Sequence, residues 1–244
     1  MKYGIQMYSV RDITPTDMEG ALRALSSMGY SCVEFAGFFD YPAEKIREWL
    51  EKYGLEASGT HTSWKQLRDR FDETVAYHKA IGCKEIIVPG ADLTTLANVE
   101  IFAGFVEEVS PRLAKEGLRL SYHNHDREFR VLDYGTMSHT QLQRRTDMTF
   151  EIDTYWVYRA GLDPLEVLRD LEARVPMIHV KDGLADGTGK PLGMGTAPVS
   201  AVWNYAREKG LSMIVESETL TPSGLAEAEI CINYLKQLEL QAGI

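Results

Sequence analysis

Short apolar runs alternate with longer amphipathic stretches along the whole chain. Eight runs can be read, near 3–8, 31–36, 56–61, 84–89, 118–123, 148–153, 175–181 and 212–217. Their starts are separated by roughly 25 to 37 residues, the size of one strand–helix unit. The stretches between them carry helix signals. In the first, Thr14 is placed to cap the helix, Pro15 suits its first position, and Asp17 favours its positive end. Met18, Leu22, Leu25 and Met28 then recur at helical spacing. The second helix is expected to start at Pro42 and stop at Gly54, and the third to run unbroken from Ser63 to Ile81. The last, from about Pro222, should pack through Ile230, Cys231, Tyr234, Leu235 and Leu238. Eight strand–helix pairs with no intervening linker predict an α/β fold, a single (β/α)8 TIM barrel spanning residues 1–244. An open doubly wound sheet is the alternative, but it has no reason to stop at eight.

Side chains alternate along a strand, so parity separates the face toward the helices from the face toward the barrel axis. In the fifth run, Leu118, Leu120 and Tyr122 share one face, and Arg119, Ser121, His123 and His125 the other. The sixth points Glu151 and Asp153 inward, the seventh His179 and Lys181, the eighth Glu216 and Glu218. Four consecutive strands thus end in ionisable groups at the top of the barrel, where barrel active sites lie. One His, one Asp, a second His and one Glu form a mixed N/O donor set that suits Mn²⁺, Zn²⁺, Fe²⁺ or Co²⁺ better than Ca²⁺. A cation would also relieve the repulsion between Asp153 and Glu216. Glu151, one layer deeper, is expected to pair with Arg119. Gln6, Tyr8, Glu34 and His61, followed by Trp64, offer hydrogen bonds to hydroxyls and aromatic faces for a sugar-like ring. The fourth run ends without an ionisable group. After the seventh, Gly183, Gly187, Gly189, Gly193 and Gly195 suggest a flexible loop over the site, a lid or an anion-binding nest.

Composition narrows the partners. A net charge of −10 repels phosphate backbones and argues against nucleic acid. No uninterrupted apolar stretch of the length that spans a membrane is found, and polar residues break up the N-terminus before a signal-type apolar core forms. Cys32, Cys83 and Cys231 are odd in number and far apart, as expected of buried thiols in a reducing cytoplasm.

At these residues the chain resembles the xylose isomerase-like barrels called sugar phosphate isomerases/epimerases, whose relatives include tagatose 3-epimerase, inosose dehydratase and endonuclease IV. The resemblance covers essentially the whole chain. It is carried by the segments 4–12, 33–35, 122–125 with Glu128 and Phe129, 152–156, 179–182 and 215–216. It implies one divalent metal, Mn²⁺ first, with Zn²⁺, Co²⁺ or Fe²⁺ as alternatives, held by His123, Asp153, His179 and Glu216. The chain departs from the epimerase pattern in two places: His123 stands where those enzymes commonly carry Glu, and Trp156 where they carry His. Met194 occupies a position where an acidic residue is expected.

The resulting expectation is a metal-dependent isomerase, epimerase or lyase that removes a proton next to a carbonyl. His125, Lys181 and Glu34 are the candidates for proton transfer. Gln6, Tyr8, His61, Trp64 and Trp156 are the candidates for substrate contact. The partner is a small sugar-like molecule, with no nucleic acid or membrane, and a homo-oligomer is compatible with the sequence. Two other readings stand beside it: phosphodiester hydrolysis of the endonuclease IV type, which wants several metals and a basic face, and a sugar-binding barrel without catalysis.

Overall fold

A computed structural model describes all residues 1–244. Eight parallel strands close into a barrel: β1 (Gly4–Gln6), β2 (Cys32–Phe35), β3 (Glu56–His61), β4 (Glu85–Val88), β5 (Arg119–His123), β6 (Thr149–Asp153), β7 (Met177–Val180) and β10 (Ser212–Val215). β1 hydrogen-bonds to both β2 and β10, so the sheet has no edge, and the open doubly wound alternative is excluded. A two-stranded antiparallel ribbon, β8 (Asp182–Gly183) with β9 (Gly189–Lys190), follows β7 above the barrel.

The helices are α1 (Met18–Met28), α2 (Ala43–Tyr53), α3 (Trp64–Asp69), α4 (Phe71–Ala80), α5 (Leu96–Lys115), α6 (Ser138–Arg145), α7 (Thr154–Arg159), α8 (Pro164–Leu171), α9 (Val199–Lys209) and α10 (Gly224–Gln241). The alternation of apolar positions does what parity requires. Leu120 and Tyr122 of β5 and Phe150 and Ile152 of β6 are buried against the helix layer, where Phe102 of α5 packs edge-on to Tyr122. Burying each such side chain stabilises the fold by about 2 kcal/mol.

The structure corrects several local expectations. α1 is capped by Asp17, whose carboxylate accepts from the Gly20 N–H, and Thr14 lies buried in the preceding turn. β1 ends at Gln6 and turns into a 3-10 segment, Met7–Val10, that carries Tyr8 to the surface. The single helix expected over 63–81 breaks at Arg70, which has non-helical φ −133° and ψ 45°. In α10, Cys231, Leu235 and Leu238 are buried and Tyr234 half-buried, but Ile230 faces solvent.

Candidate metal centre at the C-terminal end of the barrel

β5, β6 and β7 each deliver an inward side chain at or near their C-terminal ends, and Glu216 follows β10 directly. His123, Asp153, His179 and Glu216 are all buried, and one donor atom from each lies within 4.8 Å of the others. Donors bound to one ion at about 2.1 Å stand about 3.0 to 4.2 Å apart depending on the angle between them, so the four need only draw inward to close on an ion. Asp153 divides its carboxylate. Oδ1 accepts from the Trp156 N–H at 3.0 Å and caps α7, whereas Oδ2 is buried with no hydrogen-bond partner. His179 divides its ring in the same way. Nε2 lies 2.8 Å from Glu34 Oε1, while Nδ1 is unpartnered, 3.4 Å from Glu216 and 3.9 Å from Asp153. A buried carboxylate oxygen and an imidazole nitrogen, both unpaired and turned to one point, fit a cation.

The electrostatics follow from crowding in a dry interior. Burial and the Glu216 charge hold the Asp153 carboxyl above its usual pKa, against the pull of Lys181. Burial pushes the His123 imidazole down to about 3, so it is a neutral donor. Burial would also depress His61, but the charge of Glu34 and its bond to Glu151 raise it to about 9.

The remaining candidates fall into distinct places. Lys181 is almost fully buried, with Nζ 3.0 Å from both Glu216 and Glu218 and 4.5 Å from the Trp156 ring centroid. Burial opposes its charge, yet those carboxylates hold its pKa above the usual lysine value. His125 lies two residues beyond His123, with ring centroids 5.0 Å apart; its Nδ1 is unpartnered and burial pushes its pKa down. Trp156 is half-buried between His125 and Lys181. Tyr8 is 44% exposed with the Arg11 guanidinium stacked on its ring.

Other candidates are spent inside the protein. Gln6 is fully buried; its Nε2 donates to Glu34 and its Oε1 accepts from the Tyr8 N–H, so both ends of the amide are engaged within the protein. Glu34 is also fully buried, so its carboxylate orients His179 and His61 from below rather than facing the mouth. It has room because residue 59 on β3 is glycine: a Cβ there would meet Ile87 at 2.6 Å and Glu34 Oε2 at 3.0 Å. Trp64 packs on Phe102 and Phe105 and lines a groove of about 850 Å³ with Arg127, Lys65 and Pro89; none of the four donor residues lines that groove.

Two expectations about neighbours are overturned. Glu151 does not pair with Arg119, which lies at the start of the neighbouring β5, four residues before the His123 that stands opposite Glu151, and binds Glu85 at 2.9 Å. Glu151 instead meets His61, His123 and His179. The glycine-rich loop is not an open anion nest. The Asp182 carboxylate already accepts the N–H groups of Gly183, Gly193, Gly195 and Ala197. Glu128 is turned away, accepting from Tyr122, Arg127 and the His125 N–H.

One positioning residue escaped the sequence reading. The Asn124 amide donates to the Asp153 carbonyl at 3.2 Å and accepts from the Asp153 N–H at 3.1 Å, clamping the end of β6 where the ladder stops. A polar residue with helix-facing parity at a strand end was the available signal.

The barrel and this donor set define a class, and comparison with known proteins supplies the family. Residues 22–238 match the family model described as xylose isomerase-like TIM barrel, and the chain belongs to that family. No curated protein sequence matches it. Solved structures share the fold. One is a sugar phosphate isomerase/epimerase from Parabacteroides distasonis ATCC 8503, at 22% identity, TM-score 0.83, and coverage of 96% of this chain and 93% of that one. A probable 3-DHS dehydratase, AsbF, from Bacillus anthracis aligns at 12% identity and TM-score 0.79, covering 97% of this chain and 99% of that one. An L-ribulose 3-epimerase aligns at 14% identity and TM-score 0.73, covering 99% and 96%.

Proposed function

We propose that the chain is a divalent-metal-dependent isomerase, epimerase or lyase acting on a sugar-like hydroxylated carbonyl compound. The observation that carries this reading is the donor set itself, with the unpaired Asp153 Oδ2 and His179 Nδ1 facing a common point. His123, Asp153, His179 and Glu216 would hold the ion, and Mn²⁺ suits this mixed N/O set at a site open to substrate oxygens. When bound, it would supply a Lewis acid for a carbonyl oxygen and the negative charge that develops on it.

The other residues then have separable tasks. His125 is the proton acceptor: its imidazole is kept neutral by burial and its Nδ1 has no partner to give up. Lys181 is a fixed cation beside the reacting oxygens, held by Glu216 and Glu218, and can return a proton from Nζ. Trp156 offers an apolar face for a sugar ring, and His61, 11% exposed at the end of β3, a polar contact opposite it. The fold neighbours bear names from two of these reaction types, epimerase and dehydratase, which agrees with proton removal beside a carbonyl as the shared step. Three free cysteines, two of them buried, agree with a reducing cytoplasm, and the charge of −10 with a small-molecule rather than a nucleic-acid partner.

The test is solvent-deuterium exchange into a panel of ketoses, inososes and keto-glycosides, with Mn²⁺ supplied and metal content measured by elemental analysis. Exchange into one of these is expected, with loss of both metal and exchange in Asp153→Ala and Glu216→Ala. Full metal occupancy in both variants, or a metal-loaded protein that exchanges no proton in any of the three classes, overturns the reading.

A further inference from the structure

Below the proposed catalytic donors lies a second set that shares His179 with them and whose two carboxylates, Glu34 and Glu151, have no part in that mechanism. Four atoms from four strands form a closed ring: His61 Nε2 stands 3.1 Å from Glu34 Oε1 and 3.0 Å from Glu151 Oε2, and His179 Nε2 stands 2.8 Å and 3.2 Å from the same two oxygens. His123 Nδ1 approaches from the side, 3.2 Å from Glu151 Oε2. Glu34, Glu151 and His179 are fully buried. The ring oxygens, Glu34 Oε1 and Glu151 Oε2, gather nitrogen atoms, Gln6 Nε2 also donating to Glu34 Oε1, while the second oxygen of each carboxylate, Glu34 Oε2 and Glu151 Oε1, is buried with no hydrogen-bond partner.

We propose that this ring is a second metal site, taking a small tetrahedral ion of the Zn²⁺ type through Glu34, His61, Glu151 and His179 Nε2. Its size points to that ion. Donors around tetrahedral zinc at about 2.0–2.1 Å stand about 3.3 Å apart, only slightly wider than the ring, whereas Ca²⁺ at about 2.3–2.6 Å would need more oxygens and more room. Two carboxylates and two imidazoles are also a zinc-type set.

His179 would face this ion with Nε2 and the donors above it with Nδ1. The upper ion belongs to the function proposed above; the ring geometry does not depend on it. The role of the deep ion is structural: it fixes His61 and His179 at the floor of the site.

The experiment is metal titration of the dialysed full chain with Zn²⁺, and with Co²⁺ as a spectroscopic probe, with bound metal counted after gel filtration. The wild-type chain is expected to hold two ions. His61→Asn and Glu151→Gln should keep one, and Asp153→Asn and Glu216→Gln should also keep one. The ion that survives in the last two should give the intense visible absorption of tetrahedral Co²⁺. Saturation of the wild-type chain at one ion, lost in Asp153→Asn and retained in His61→Asn, overturns the second site and leaves the proposed function standing. A single ion retained in Asp153→Asn and lost in His61→Asn and Glu151→Gln supports the deep site and overturns the upper one. Each site has two variants, so the assignment is read from the second if the first fails to fold.

Discussion

His139 gives the structure a pH dependence whose size can be worked out in advance. The residue lies in α6, 5% exposed, stacked on Phe129 at 4.6 Å and against Phe150 at 4.8 Å, and its Nε2 has no partner. Burial, helped by the nearby Arg174 charge, pushes its pKa down from 6.5 to about 4. The unfolded chain therefore takes up a proton at this residue near pH 6.5, while the folded chain refuses it until about pH 4. Stability is fully present above 6.5 and falls as the pH is lowered through that window, by about 1.4 kcal/mol per pH unit, or about 3 kcal/mol in all. His139→Leu removes the titration and keeps an apolar side chain among the two rings. Urea unfolding of both proteins from pH 7 to pH 4 should show the variant gaining about 3 kcal/mol relative to wild type over that range. Every other titrating group is common to the two proteins and drops out of the difference. Parallel stability curves for the two would refute the argument, because they would mean that His139 charges as readily in the folded chain as in the unfolded one.

Three further outcomes are expected. His123→Ala should weaken metal binding, whereas His125→Ala should leave metal bound and lower turnover; the reverse pattern, seen by elemental analysis and exchange rate, would place the ligand one layer further out. Gly195→Ala would put a Cβ 2.1 Å from the Asp182 carboxylate and 2.5 Å from the Gly183 nitrogen. It should cost roughly 1–3 kcal/mol in chemical denaturation, as overpacking does, and speed proteolysis within residues 183–197; unchanged stability would show that the Asp182 knot is soft. Duplex DNA binding should be negligible at physiological salt in a fluorescence anisotropy titration, given the net charge of −10, and tight binding with cleavage at abasic sites would favour the hydrolase reading.

The barrel was legible in the sequence because both of its periodicities are local. Eight apolar runs at strand–helix spacing set the element count, and parity within β5, β6 and β7 told inward groups such as His123, Asp153 and His179 from outward ones such as Tyr122 and Ile152. Parity also pointed the four strand-end groups toward one axis, since closure of an eight-stranded sheet leaves them no other direction. What it could not give was depth and partner, which depend on the stagger between strands and on how far each chain segment runs before it turns. Arg119 and Glu151 share a parity, but Arg119 pairs along β4 with Glu85 because adjacent strands are in register there, while Glu151 sits higher, under the three histidines. Gln6 and Glu34 looked like mouth residues until the early end of β1 and the register shift beside Glu34 sank both beneath the site. Asp182 gave no sign in sequence that it would fill the glycine-rich loop, since those four N–H groups converge only once residues 183–197 fold back over β7. Residue type and spacing determined which groups face the axis. Only the closed, staggered barrel decided which of them touch, because contact across strands is set by register rather than by any pattern within one strand.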